Sequence, residues 1–369
     1  MIYLDNAATT MIKPLAVSRA VMKAMQTMAS PGRGGHEPAM RAAKTVFECR
    51  MEAAELFHVP SPEQVVFTMN ATHGLNIALH SLAGRGTKVL VSGYEHNSVT
   101  RPLAALGAEI HVAQAPLFDS AAMLAAFEKQ LPGMQLAVCT HVSNVFGFIL
   151  PLGEIAALCR ERNVPLIVDA AQSAGILPLS LRELGAAYLA MPGHKGLYGP
   201  QGTGILICAQ PGTPLLSGGS GSDSIPQLMP DYLPDRLEAG THNVCGIAGL
   251  REGIRYVRQS GLDSIYAHEN TLLQAMVSEL AGVKGLTLYT DHCRNQSGVL
   301  SLRSARLNCE EMAALLGERG VCVRSGLHCA PYAHRTAGTQ DSGTVRFSFS
   351  PFNSLEDVTR SCQFIKDLL

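Results

Sequence analysis

Five times along the chain a short apolar run ends in a turn of small and polar residues: Val65 to Met69, Lys88 to Ser92, Leu136 to His141, Val164 to Val168 and Ala186 to Met191. Helical patterns lie between them, at Leu75 to Leu82, Leu152 to Arg162 and near Leu179 to Leu184. Strands joined through helices pair in parallel, with a right-handed crossover, so the residues that end each run gather along one edge of one sheet. That carboxyl edge is where open α/β sheets hold ligands. The expected fold class is therefore α/β, built on a large, mostly parallel sheet sandwiched by helices.

Two charges stand on that edge. Asp169 ends the run Val164-Pro-Leu-Ile-Val168, and Lys195 lies in Pro192-Gly-His-Lys-Gly196, after the run ending at Met191 and before Gly204-Ile-Leu-Ile-Cys208. Taken singly, an Asp or a Lys is usually a solvated surface charge. Together they suit pyridoxal 5'-phosphate: the lysine amine forms a Schiff base, and the carboxylate keeps the pyridine nitrogen protonated. The glycines at 199, 202 and 204 do not make a nucleotide loop, since they precede a strand, open no helix and lack the Gly-Lys-Ser/Thr ending.

Asn70-Ala-Thr-His-Gly74 leads from a strand into a helix, which serves either as an anion site at free helix amides or as a plain cap. His96, after the second run, is placed to lay its ring on a flat cofactor. Arg33 and His36 fall in a Gly-rich loop, Ser30 to His36, ahead of a helical pattern from Pro38 to Leu56. Another helix is expected from Pro14 to Met28. The stretch from Pro211 to Arg236, rich in Gly, Ser and Pro, reads as a long loop, and loops of that length are usually functional or disordered.

Beyond it, one long helix is expected from Ile247 through the Glu269 region. There follows a small α+β unit with strands at Leu286 to Tyr289, Gly298 to Leu302, Val321 to Arg324 and Thr344 to Ser348, and helices at Glu310 to Arg319 and Leu355 to Leu368. Cys329 sits here in Arg324-Ser-Gly-Leu-His-Cys-Ala-Pro331. Arg324 and His328 are the positive groups expected to favour its thiolate. Arg346, in the strand expected from Thr344 to Ser348, wants a carboxylate partner, structural or substrate.

Composition excludes broad alternatives. A net charge of −1 gives no general attraction for nucleic acid or anionic membranes, and 47% apolar residues suffice for a large core. No apolar run approaches the ~20 residues of a membrane span and no basic, apolar leader is evident, so a cytoplasmic protein is expected. The ten cysteines form no Cys-x-x-Cys pair, and no metal site is expected.

The motifs Tyr3-Leu-Asp-Asn-Ala-Ala8, Asn70-Ala-Thr-His-Gly74, Glu95-His96, Ser143-Asn144, Asp169-Ala-Ala-Gln172, Gly193-His-Lys195, Glu238-Ala-Gly-Thr241 and Arg324-Ser-Gly-Leu-His-Cys329 follow one another in the order of a known family. The chain resembles the cysteine desulfurases and selenocysteine lyases of the class V aminotransferases, pyridoxal-phosphate enzymes of fold type I. That resemblance implies a large cofactor domain over 14–246 and a small domain from 1–13 plus 247–369. It implies Lys195 at the Schiff base, Asp169 at the pyridinium nitrogen, Gln172 at the ring hydroxyl and His96, also catalytic, stacked on the ring. Ala71, Thr72, His73 and His194 would hold the phosphate, with Thr241 supplied by the partner of a homodimer. Asn144, Arg324 and Arg346 would bind the substrate, and Cys329 would take its sulfur.

The implied reaction converts L-cysteine to L-alanine with a persulfide left on the enzyme, for delivery to an acceptor protein and iron–sulfur cluster assembly. A selenocysteine lyase, aminotransferase or β-lyase is the alternative. One departure is visible: Pro192 stands where relatives commonly carry a phosphate-binding serine, and it has neither hydroxyl nor amide hydrogen.

Overall fold

The computed structural model describes residues 1–32, 34–291 and 294–369. Arg33 lies outside the described residues. The chain runs through β1 (Ile2–Tyr3), α1 (Leu15–Thr27), α2 (Glu37–Leu56), β2 (Val65–Thr68), α3 (Ala71–Leu82), β3 (Lys88–Ser92), α4 (Asn97–Ala105), β4 (Glu109–Ala113) and α5 (Ser120–Gln130). It continues with β5 (Leu136–Thr140), α6 (Leu152–Glu161), β6 (Leu166–Asp169), α7 (Leu181–Leu184), β7 (Tyr188–Pro192) and β8 (Gly204–Cys208). The last part holds α8 (Val244–Ser260), α9 (Leu262–Leu280), β9 (Leu286–Tyr289), β10 (Val299–Ser304), α10 (Cys309–Glu318), β11 (Val321–Cys322), β12 (Arg324–Gly326), α11 (Pro331–Thr336), β13 (Thr344–Ser348) and α12 (Leu355–Leu368).

Seven strands form one sheet in the order β2-β8-β7-β6-β5-β3-β4. Strands β7, β6, β5, β3 and β4 are parallel, and β8 alone runs against its neighbours β2 and β7. Every residue of β2, β5, β6, β7 and β8 is buried. This is why those strands read as unbroken apolar runs: helices cover both faces. Alternate side chains divide between the faces. Phe67, Ala137, Val168 and Leu189 pack with α2, α5, α6 and α8, whereas Val66, Val138, Ile167 and Tyr188 pack with α3 and α4.

A second sheet, β12-β13-β10-β9, is antiparallel. Its core joins Leu300, Leu302, Val345 and Phe347 to apolar residues of α9, α10 and α12, and to Ile2 and Leu4 from the start of the chain. Capping boxes at Asn308 with Glu311, and at Ser354 with Asp357, fix where α10 and α12 begin. Among the described residues no helix is long and apolar enough to cross a membrane.

The structure corrects the sequence reading in two places. The single helix expected from Ile247 through Glu269 is two, broken at Gly261, whose φ of 79° no helical residue adopts. The strand expected from Val321 to Arg324 is also two: β11 pairs with β1, and β12 pairs with β13 in the other sheet. The second break swings the segment after Arg324 toward the edge of the large sheet, where it carries Cys329.

Candidate active site

A cavity of about 200 Å³ opens at the carboxyl edge of the large sheet, between Lys195 and Asp169 on one side and Arg324 and Cys329 on the other. Ala71, Thr72, His96, Asn144, Gln172, His194 and Arg346 line it too, so most of the residues singled out in the sequence share one space.

Asp169 closes β6 and is buried, with Oδ1 accepting the Ala171 amide at 2.9 Å. Burial pushes its carboxyl up, while that amide and Lys195 oppose the shift. Lys195 follows β7, and burial brings its amine down to about 8, with Asp169 opposing and Arg346 and Arg324 assisting. An amine near 8 is a free base for an appreciable fraction of the time at neutral pH, which a reactive lysine requires. Its glycine neighbours are a packing requirement. A Cβ on Gly193 would lie 2.1 Å from Thr203 Oγ1, and one on Gly196 would lie 2.4 Å from the Ala174 carbonyl. Gln172 donates from Nε2 to the Ala7 carbonyl at 3.0 Å.

His96 caps α4. Its Nδ1 accepts the Ser98 amide at 3.0 Å, so the neutral ring carries its proton on Nε2. Burial, with Lys195 and three arginines adding, brings this imidazole down to about 4 and keeps it neutral at ordinary pH. Ser98 Oγ stands 2.9 Å from His96 Nδ1 and 2.8 Å from Thr72 Oγ1, linking the ring to the start of α3. There Asn70 caps the helix by accepting the His73 amide at 2.9 Å, and the amides of Ala71 and Thr72 have no intrahelical partner. His194 faces the cavity as a neutral ring, lowered to about 4 chiefly by burial, and its Nδ1 is buried without a partner among the described residues.

Arg346 is 2% exposed and lies in β13. Its Nη2 donates to Asp5 Oδ1 at 2.6 Å and its Nη1 to the Asn144 carbonyl at 2.9 Å. The carboxylate partner expected of Arg346 is thus Asp5, across the whole length of the chain. Ser98 and Asp5 belong to the site, and the sequence reading did not assign them.

Cys329 is exposed, in the turn between β12 and α11. The expectation that His328 supplies positive charge beside it is overturned. The His328 ring is buried, brought down to about 2 mainly by burial, and faces Thr344 Oγ1 at 3.2 Å from Nε2. Arg324 is the cation that remains on the same cavity wall.

His73 and Thr241 do not line this cavity but a neighbouring one of about 210 Å³, together with Glu238 and His242. Glu238 is buried there. Burial alone would raise its carboxyl, but Arg50 and His242 hold it low. Arg50 Nη1 donates to Glu238 Oε1 at 2.8 Å, with a second bond from Nη2 to Oε2. The loop from Pro211 to Arg236 reaches this second cavity through Leu216, and Arg236 ties it down by donating from Nε to the Gly212 carbonyl at 2.7 Å.

The aminotransferase class-V family model matches residues 2–360. The chain is 32% identical to a probable cysteine desulfurase of Methanothermobacter thermautotrophicus, covering 97% of this chain and 92% of that protein. It is 31% identical to a probable cysteine desulfurase of Pyrococcus abyssi, covering 100% of this chain and 94% of that one. Among solved structures, an apo cysteine desulfurase from Thermococcus onnurineus NA1 superposes with a TM-score of 0.91 at 32% identity, covering 100% of this chain and 94% of that chain.

Proposed function

Because the chain belongs to the aminotransferase class-V family, we propose that it is a pyridoxal-phosphate-dependent cysteine desulfurase. The observation that carries the reading is the single cavity joining Lys195 and Asp169 to Cys329. The residues fit the cofactor. A buried carboxylate, an amine lowered to about 8, free amides at the start of α3 and an unpartnered His194 nitrogen surround one space. Lys195 would hold the aldehyde carbon, Asp169 the ring nitrogen, Gln172 the ring hydroxyl, and Ala71, Thr72 and His194 the phosphate, whereas His73 lines the neighbouring cavity and is not among the groups around this space. With Pro192 contributing no donor, Thr241 from a partner subunit would complete that end.

When bound, the cofactor supplies an acceptor for the electron pair on the substrate's α-carbon. The protein's own groups do the rest. Arg346, Arg324 and Asn144 receive the carboxylate of L-cysteine, and the Lys195 amine takes the α-proton. The Cys329 thiolate attacks the substrate sulfur, so that a sulfur–sulfur bond forms as the carbon–sulfur bond breaks. The three-carbon fragment takes up one proton at its β-carbon and regains one at its α-carbon from Lys195 to become alanine, and Cys329 keeps the transferred sulfur as a persulfide. His96, neutral with its proton on Nε2, would cover the cofactor's ring face and offers a donor.

An exposed Cys329 supports delivery to a separate acceptor protein in the cytoplasm, with iron–sulfur cluster assembly as one destination. Exposed apolar side chains on α1 (Leu15, Met22, Met25) and α2 (Phe47, Met51) support a homodimer. The C-terminal core, which takes in Ile2 and Leu4, supports a division into 14–246 and 1–13 plus 247–369. The test is direct: the purified, cofactor-loaded protein is expected to release alanine from L-cysteine. Turnover of L-selenocysteine with none of L-cysteine would overturn the assignment in favour of a lyase.

A further inference from the structure

Asn144 is expected to bind substrate, yet its side-chain amide is already engaged: Nδ2 donates to the main-chain carbonyl of His328 at 2.8 Å. Its own carbonyl receives Arg346 Nη1 at 2.9 Å, and Arg346 is in turn tied to Asp5. Asn144 is 8% exposed, fixed between the buried guanidinium and the turn that carries Cys329.

That turn needs holding. His328 and Cys329 are consecutive non-glycine residues in the left-handed region, with φ of 48° and 57°. Such a conformation persists only where its surroundings over-determine it. Four contacts do so here. The Asn97 amide donates to the Cys329 carbonyl at 2.8 Å, the Ala330 amide to the Leu327 carbonyl at 2.9 Å, the His328 ring meets Thr344, and Asn144 holds the His328 carbonyl. The last comes from outside the turn, from a side chain that lines the substrate cavity.

We infer that Asn144 is a positioning residue for Cys329, holding its turn through the His328 carbonyl in addition to any contact with substrate. The role matters to catalysis on the reading of Cys329 as the sulfur acceptor, but the hold itself is a property of the turn. A substrate carboxylate that draws the Asn144 amide into the cavity weakens this one contact, so occupancy of the cavity and freedom of the Cys329 turn are coupled.

Hydrogen–deuterium exchange of the cofactor-loaded protein tests this on peptides spanning residues 326–331. Asn144→Ala removes the donor, and Asn144→Asp keeps the side-chain size while replacing the donor with an acceptor. Both are expected to speed exchange in the turn on the order of tenfold, with β5 and β13 unchanged. At saturating L-cysteine both are expected to lower kcat on the order of tenfold or more, because a displaced nucleophile is not restored by more substrate. Unchanged exchange in both variants, or a raised KM with wild-type kcat, would confine Asn144 to substrate binding and overturn the inference. A wild-type protein that forms no alanine would sink the functional reading alone, since the exchange data would still decide whether Asn144 holds the turn.

Discussion

The two halves of the site are built in opposite ways. Asp169 ends β6 and Lys195 lies just past the end of the adjacent parallel strand β7, in a sheet covered on both faces, and burial sets their chemistry. Cys329 stands exposed on a turn between a three-residue strand and a short helix, held in place by contacts from elsewhere. The contrast separates two tasks. The cofactor half needs fixed geometry and a low dielectric, whereas the acceptor half must meet a substrate inside and release sulfur outside. On the proposed function, Lys195 would be common to all chemistry on the cofactor, and Cys329 would select which reaction follows.

The comparison breaks most sharply at Lys195. Lys195→Ala is expected to abolish the visible absorbance of the bound cofactor and to lower alanine formation on the order of a thousandfold. Spectra and turnover of the purified variant check both. An unchanged spectrum would mean that Lys195 is not the cofactor's anchor and that the buried half of the site has been misassigned.

How much of this was legible in sequence follows from how local each determinant is. Asp169 and Lys195 were readable because one strand-to-strand crossover fixes their separation and puts both on the same edge. The segment from α4 to α5 was not read. Its strand β4 is at the sheet edge, only its last residue is fully buried, and it therefore lacks a continuous apolar run. The Asp5–Arg346 pair joins the two ends of the chain through β-sheet packing, which no motif spacing encodes. His328 misled for the same reason. Beside a cysteine it looks like a cation, but its ring is buried, facing Thr344 and 5.8 Å from the ring of His334, and that burial keeps it neutral.

That neutrality gives a smaller effect that sharpens the contrast. His328 belongs to the Cys329 turn, the His334 ring lies 5.8 Å from it and His141 directly follows β5; burial lowers them to about 2, 4 and 4. In the unfolded chain each titrates near 6.5. Their folded values are depressed, so the unfolded state binds more protons, and stability present above pH ~6.5 is lost as pH falls toward 4. Near pH 5 the cost is roughly 2 kcal/mol for each histidine. The buried carboxyls of Glu95 and Glu269 are raised and change stability in the opposite sense over this window, so the check is made on the rings themselves. NMR titration of the ring resonances is expected to leave all three neutral down to about pH 5, and rings that charge near pH ~6.5 would show that they are not held neutral.

The most direct test of the account is where the sulfur goes. After brief exposure of the cofactor-loaded protein to L-cysteine, peptide mass analysis is expected to find one added sulfur on Cys329, in step with the alanine formed. Cys329→Ser should keep the cofactor absorbance while carrying no such sulfur and releasing little alanine, since a hydroxyl is a poor nucleophile toward sulfur at neutral pH. Alanine formed by Cys329→Ser at the wild-type rate, or sulfur found on another cysteine in the wild type, would contradict it.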